Sequence, residues 1–228
     1  MSTLSHSQRL RKKIDLVLPQ FIAGSTAVIA HPRFKELYPE VLTALHWMIR
    51  ATVPLMELSL QRCQELADRD AVAAAMIPYL TQHIKEEMHH DDWLLEDMEV
   101  LGVQRSDVLR RMPSPHAATC IGCRYYWVLH HHPIAELGAI AVMEGYPLAP
   151  EAIDILVEET GLPRAAFRAM EKHTHLDPQH RDDLLAAIDT LPLQEEHHEM
   201  LCVSAYTTIE TAAALYHEVA ASLPDSDA

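Results

Sequence analysis

Histidines and carboxylates are concentrated in a segment that otherwise has the composition of a helix. Residues 83–98 read HIKEEMHHDDWLLEDM, with three histidines and six carboxylates among large apolar side chains. At 100° per residue, His83, Glu86, Glu87 and His90 fall on one helical face. Glu87 and His90 form a Glu-x-x-His pair, the unit with which helix bundles hold iron or manganese. Glu86 is a rival because it also stands near His90, and the alternative to a ligand face is a charged surface helix.

A second group of metal-binding side chains lies in the segment HTHLDPQH. His173, Asp177 and His180 are spaced i, i+4 and i+7, so an ideal helix places them on one face. Neutral imidazole nitrogens and ionised carboxylate oxygens both bind divalent ions. Pro178 lies inside this triplet and lacks an N–H group, so we expect it to kink the helix or to mark its restart. Taken alone, the triplet is also compatible with a surface cluster.

Glu144 is the third element, because it follows the apolar residues Leu137, Ile140 and Ala141 at helical spacing. A carboxylate on an apolar face is costly unless it is paired or metal-bound. One alternative is a salt-bridged core residue.

The candidate metal ligands are Glu87, His90, Glu144, His173, Asp177 and His180. Six donors exceed the needs of one tetrahedral zinc and suit two octahedral ions with open positions. The many carboxylates and the absence of a thiolate favour iron or manganese.

The remaining sequence indicates helices that could position these side chains. Glycine is scarce, with 6 in 228 residues, and apolar residues recur at three- and four-residue steps. No segment alternates with period two, so we predict an all-α bundle of roughly seven to nine helices without a sheet. We expect one domain over residues 1–228, with flexible termini at about 1–12 and 224–228. The clearest predicted helices cover about 79–101, 134–145, 164–176 and 194–222.

Charge and composition exclude several classes of function. The net charge of −15 argues against nucleic acid and anionic membranes as partners. No apolar run approaches the ~20 residues of a membrane span, and the first residues lack the pattern of a signal peptide. The four cysteines are too few for a disulfide framework in a chain of this length. We therefore expect a cytoplasmic protein. We also expect a homodimer.

Three segments together resemble the haem-oxygenase-like diiron oxidases and oxygenases, a family of iron-containing redox enzymes. HIKEEMHHDDWLLEDMEVLG resembles their first ligand helix, LGAIAVMEG the second and HTHLDPQH the third, and HPRF at 31–34 also fits. The resemblance implies a seven-helix bundle in which the six candidate residues bind two Fe(II) ions, and it selects Glu87 over Glu86. It also implies a third ligand helix that is often mobile and becomes ordered on metal binding.

The chemistry that the resemblance implies is the activation of O2, the co-substrate, with an external reductant as a further option. Family members N-oxygenate amines, or carry out oxidative C–C cleavage or decarboxylation of amino or fatty acids. We therefore expect an oxygenase or oxidase of natural product biosynthesis.

Two rival functions stay open at this point. A metal-free, thiaminase-like member of the same fold would need a cysteine nucleophile or pocket acids in place of the ligands. A non-enzymatic metal-binding protein would favour two Glu-x-x-His motifs, and the sequence has one together with His-x-x-x-Asp-x-x-His. We interpret the pair Cys120 and Cys123 as incidental packing. We also interpret residues 130–132 as a surface cluster of histidines, and His197 and His198 as part of a solvated first helical turn.

Overall fold

The computed structural model describes residues 4–223, which form helices joined by turns, with no strand in this range. The predicted all-α fold is confirmed. A 3-10 turn (Arg164–Phe167) directly precedes the tenth helix. The helices are α1 (His6–Ile29), α2 (Phe34–Ile49), α3 (Thr52–Leu66), α4 (Ala71–Glu87), α5 (His90–Val100), α6 (Arg105–Arg110), α7 (Pro115–His130), α8 (Ala135–Met143), α9 (Glu151–Thr160), α10 (Arg168–Thr190) and α11 (Glu195–Ala220).

The long C-terminal helix α11 organises the bundle because α1, α7 and α8 all pack against it. Every residue of α8 up to Val142 is buried. Gly138 allows α8 to approach α11 closely, since a Cβ atom at this position would lie 2.3 Å from the carbonyl oxygen of Leu201. The short apolar helix α8 is thereby fixed in the interior, and Glu144 follows at its C-terminal end.

We expect Gly138→Ala to destabilise the protein by about 1–3 kcal/mol, because the added methyl group meets backbone that cannot move aside cheaply. Gly122→Ala is the matched control. A Cβ atom there meets nothing within 4 Å inside α7, so this change should stabilise the protein by roughly 0.5–1 kcal/mol. Urea unfolding measures both effects, and equal stabilities for the two variants would contradict the close α8–α11 contact.

Two apolar clusters form the core. The first includes Tyr38, whose ring stacks on Phe167 at 4.5 Å between centroids, together with Leu94 of α5. The second includes Leu80 of α4 and Leu137 of α8. Helices α4 and α5 therefore contribute to different clusters although only two residues separate them.

The predicted single helix over 79–101 is wrong, because α4 ends at Glu87 and α5 begins at His90. Met88 leaves the helical region with ψ of 130°, and His89 has φ of 70°. His89 is the one non-glycine residue with positive φ in the described range. Histidine is among the residues that tolerate this left-handed conformation more readily than most. The chain changes direction between the two segments that carry Glu87 and His90.

Helix α10 differs from its prediction in the opposite sense. It runs without interruption from Arg168 to Thr190, so the predicted end near residue 176 is too early. Pro178 lies inside the helix and does not mark a restart. The missing N–H group of Pro178 removes one helical hydrogen bond, yet His173, Asp177 and His180 stay on one continuous helix.

The N-terminal residues are more ordered than expected. Residues 6–12 form the first turns of α1, and Leu10 is fully buried. Ser7 donates from its backbone N–H to Asp189 Oδ1 at 2.7 Å. Part of the segment expected to be a flexible terminus is therefore helical and packed. The expectation for residues 224–228 lies outside the described residues.

Candidate metal centre

Four helices bring buried histidines and carboxylates to one place between the two apolar clusters. Two groups of side chains have donor atoms within 4.8 Å of one another. The first, the Glu144 group, contains His83, Glu87, Glu144 and His180. The second, the His173 group, contains Glu87, His90 and His173. The structure thus collects five of the six predicted ligands into these groups and adds His83.

Glu87 belongs to both groups, and its two oxygens face different histidines. Oε2 lies 3.1 Å from His90 Nδ1, whereas Oε1 lies 3.2 Å from His180 Nδ1. Glu144 Oε2 lies 4.0 Å from the same His180 nitrogen. The two oxygens of Glu87 are therefore directed to different sets of donors.

Several donor atoms in these groups, and one of Asp177 beside them, are buried without a hydrogen-bond partner. Such orphaned polar atoms are rare in folded proteins, because each loses its solvation without compensation. The closest distances between them do not have hydrogen-bonding geometry, so the side chains do not satisfy one another. The orphaned atoms are Glu87 Oε1, His90 Nδ1, Glu144 Oε2, Asp177 Oδ1 and His180 Nδ1. A cation at this place would satisfy them together, so these residues fit a metal.

His173 is held in the tautomer that metal binding needs. Its Nδ1 lies 2.8 Å from the carbonyl oxygen of Ala169 and must donate to it. The Nε2 atom therefore keeps its lone pair, as in most metal-binding histidines, whose other nitrogen donates to a backbone carbonyl or carboxylate. Burial lowers the pKa of His173, which also favours the neutral imidazole.

The carboxylates of the centre are poorly stabilised without a cation. Burial raises the pKa of Glu144 despite its hydrogen bond with His83. Burial, together with the charges of Glu144 and Glu87, raises the pKa of Asp177 to about 8. Burial also opposes ionisation of Glu87, but the close contact with His90 and the charge of that histidine outweigh it and lower the pKa. A divalent cation would favour the ionised form of all three.

Helix ends add to this preference for a positive ion. Glu87 is the last residue of α4, and Glu144 is the C-cap of α8. The C-terminal end of a helix carries a partial negative charge. Two helix ends of the same sign therefore meet two carboxylates here, an arrangement that stabilises a cation.

Asp177 lies at the edge of the centre and belongs to neither group. It lines a cavity of about 80 Å³ together with Glu87, Glu144 and His173. The same cavity is bordered by the apolar side chains of Met48, Ile49, Ile140 and Met143, and by Thr52 and Arg124. The prediction that Asp177 binds metal stays a prediction, with its carboxylate facing the space beside the two groups.

His83 is the residue that the candidate ligand set omitted. It is buried, its Nε2 lies 3.0 Å from Glu144 Oε1, and its ring stacks on Tyr79 at 5.2 Å. Burial lowers the pKa of His83, but the hydrogen bond and charge of Glu144 outweigh it and raise the pKa to about 9. Its position one helical turn before Glu87, on the same face, was the available signal.

The geometry also separates Glu86 from Glu87. The Glu86 side chain is 34% exposed and accepts a hydrogen bond from Gln82 Nε2 at 2.7 Å. The Glu87 side chain is 7% exposed and belongs to both groups. This arrangement supports Glu87 as the ligand.

A third cluster of possible ligands, Asp70, His132 and His197, has the wrong tautomers for a metal. The backbone N–H of Ile134 donates to His132 Nδ1 at 3.0 Å, and that of Gln194 donates to His197 Nδ1 at 3.2 Å. A metal-bound imidazole carries a proton on its free nitrogen, which these contacts prevent. We interpret the cluster as structural.

The other singled-out histidines and cysteines belong to neither the Glu144 group nor the His173 group. His130 and His131 are exposed, as predicted, but His198 is fully buried, so the interpretation of a solvated turn is wrong for it. Cys120 is buried with its Sγ 4.0 Å from Met48 Sδ, which agrees with a packing role.

Comparison with known proteins agrees with the fold and the donor set. A family model described as "iron-containing redox enzyme" matches residues 42–213, a range that contains both groups. No curated protein sequence matches the chain.

Solved structures share the fold at low sequence identity. A domain of unknown function with a heme oxygenase-like fold from Shewanella denitrificans is 17% identical, with a TM-score of 0.74 over 93% of this chain and 89% of that one. A CADD-like protein of unknown function from Nostoc punctiforme is 20% identical, with a TM-score of 0.69 over 94% and 96% of the two chains. A TenA homolog from Pseudomonas syringae pv. tomato is 13% identical, with a TM-score of 0.68 over 90% and 91%. These identities establish the fold alone, and the predicted haem-oxygenase-like fold is confirmed.

Proposed function

The chain belongs to the family of iron-containing redox enzymes, and we propose that it is a non-haem diiron oxygenase or oxidase. It would use O2 to oxidise a small metabolite in a biosynthetic pathway. The reaction would be N-oxygenation of an amine, or oxidative C–C cleavage or decarboxylation of an amino or fatty acid.

The observation that carries the proposal is Glu87, whose two oxygens face two separate sets of donors. Glu87 Oε1, Glu144, His180 and His83 would hold one ion, and Glu87 Oε2, His90 and His173 would hold the other. Asp177 faces the adjoining cavity and would complete either set. Carboxylates and imidazoles that project from facing helices are also the donors of the di-iron carboxylate sites of helix bundles, which use four Glu and two His side chains. Two ferrous ions, when bound there, would supply the electrons that reduce O2, and an external reductant would restore those electrons.

The side chains around the centre would orient the ligands and limit the access of water. The hydrogen bond from His173 to Ala169 fixes the direction of the imidazole. His83 holds a proton against Glu144, and this proton must leave if His83 binds a metal. The apolar side chains of Met48 and Ile140 border the space beside the carboxylates, which limits the access of water to reactive species.

The arrangement of the cysteines supports this proposal over a metal-free, thiaminase-like activity. In the described residues, the walls of the cavity beside Glu87 contain no cysteine. Burial raises the pKa of Cys63 to about 12 and that of Cys123 to about 11. A nucleophilic thiol needs the opposite shift, because the thiolate is the reactive form.

Anaerobic titration tests the metal content directly. We expect about two Fe(II) ions per chain, as in other di-iron carboxylate bundles. His90→Ala and Glu144→Ala should each lower this number, since each removes a donor from one group. Iron analysis after desalting, together with the ultraviolet and visible spectrum, measures the result.

His116→Ala is the control for the loss of any histidine, because His116 is surface-exposed and pairs with Glu218. It should bind as much iron as the wild type. A single tightly bound zinc that both His90→Ala and Glu144→Ala retain would contradict the proposal. O2 consumption by the iron-loaded protein in the presence of candidate amines or acids then tests the reaction.

Partners and location stay predictions. Within residues 4–223, no helix combines the length and the apolar character needed to cross a bilayer. We propose a cytoplasmic homodimer that takes a small-molecule substrate and does not bind nucleic acid.

A further inference from the structure

A second, larger cavity adjoins the metal centre. It has a volume of about 380 Å³ and shares Ile49, Met143, His173 and Asp177 with the small cavity beside Glu87 and Glu144. Its remaining walls come mainly from α1, α2, α10 and the residues that follow Glu144. A molecule in the large cavity would therefore reach the centre at His173 and Asp177.

The walls of this cavity are mostly apolar, and four of their five hydroxyl groups donate to other protein groups. Ser25 donates to the Ile22 carbonyl, and Thr174 donates to that of Glu171. The hydroxyls of Tyr38 and Tyr146 donate in the same way. Their acceptors are the Ala166 carbonyl and Asp15 Oδ1, respectively. In the described residues, Asp177 is the one Asp, Glu, Lys or Arg in the lining.

The edge of the cavity is apolar as well. Ile22, Ile29 and Leu148 contribute to its lining and are 52%, 42% and 41% exposed. An apolar molecule could enter between these side chains without stripping water from a charged group. Apart from its tyrosines, the ionisable side chains of the lining are His173 and Asp177, which the large cavity shares with the small one.

We propose that this cavity binds an unbranched alkyl chain of on the order of ten carbons, with its polar end group at His173 and Asp177. The length follows from the volume, because a methylene group fills about as much space as a water molecule, roughly 30 Å³. The position of the end group rests on the proposed function, whereas the binding of the chain does not. An alkyl-chain substrate is thereby favoured over a small polar amino acid.

Calorimetry on the metal-free protein tests whether the cavity binds an alkyl chain independently of any metal. Affinity for linear alkan-1-ols of roughly six to sixteen carbons should rise by about fourfold per methylene until the cavity is filled, and then level off or fall. Alkyl carboxylates and alkyl amines of the best length, with and without anaerobic Fe(II), then identify the polar end group. The proposed alkyl-chain site is supported if the alcohols, the carboxylates or the amines show this dependence of affinity on chain length.

Variants locate the bound chain. Leu45→Trp fills part of the cavity and should shift the optimum to a shorter alkyl chain. Ser25→Phe is a second filling variant with the same expected shift, for use if Leu45→Trp does not fold. Val203→Trp is the control, because Val203 lies on a different surface groove beside Tyr206. Affinity that is independent of chain length, or unchanged in both filling variants, would overturn the proposal. Length-dependent binding in a protein that binds no Fe(II) would retain the alkyl site and refute the diiron function.

Discussion

Glu87→Ala should abolish O2-dependent activity and prevent the binding of a pair of Fe(II) ions. Glu87 is the one side chain shared by the two groups of donors, so its removal weakens both ion sites at once. Even partners that only orient a metal ligand change metal affinity by 10–100-fold, and the loss of a shared ligand should cost at least about 100-fold. Anaerobic iron titration and O2 consumption measure the two effects independently.

Glu86→Ala is the matched control, because it removes a neighbouring carboxylate on the same helix. The Glu86 side chain is partly exposed and belongs to neither group, so this variant should keep most of its iron and activity. Circular dichroism verifies that both variants are folded. Loss of iron in Glu86→Ala together with retention in Glu87→Ala would shift the ligand assignment by one residue.

Glu136→Leu should destabilise the fold by about 3–5 kcal/mol, because it leaves the Arg124 guanidinium buried without a counter-charge. Glu136 is fully buried and Arg124 is 6% exposed. Arg124 Nε donates to Glu136 Oε2 at 3.2 Å, and a second nitrogen contacts Oε1. Urea unfolding followed by circular dichroism measures the loss.

The double variant Arg124→Met with Glu136→Leu distinguishes the cost of an unpaired buried charge from the contribution of the ion pair itself. It should recover most of the lost stability, since apolar residues of similar volume often replace a buried ion pair at little cost. Glu65→Leu, which removes the partner of the more exposed Arg62, should leave the urea midpoint nearly unchanged. A Glu136→Leu variant as stable as the wild type would mean that Arg124 finds another partner or water.

The local chemistry of the sequence predicted much of this protein. Helical periodicity and scarce glycine predicted an all-α chain, because helix formation depends largely on residues close together in sequence. The triplet His173, Asp177 and His180 lies on one helix, in agreement with its i, i+4 and i+7 spacing, although the predicted helix ended near residue 176. Glu144 was predicted to be a buried carboxylate from the apolar residues before it, and it is buried.

Tertiary structure decided how these pieces meet. Glu87 and His90 converge across a break at which His89 has φ of 70°, and not along one helix as the Glu-x-x-His spacing predicted. Such a conformation is intrinsically unfavourable and persists when the surroundings enforce it. Here α4 and α5 pack into different apolar clusters. Packing between distant segments therefore determines the direction of the chain at this point.

The same distinction explains His83 and the large cavity. His83 meets Glu144, 61 residues further along the chain, only because α4 and the end of α8 lie side by side. The cavity walls come from segments between residues 18 and 216, and no local pattern encodes their distances. Residue type and helical spacing determined which side chains could bind a metal together. Contacts between helices determined which of them lie close enough to hold a common ion and what space is left beside them, because those distances depend on how side chains far apart in sequence pack.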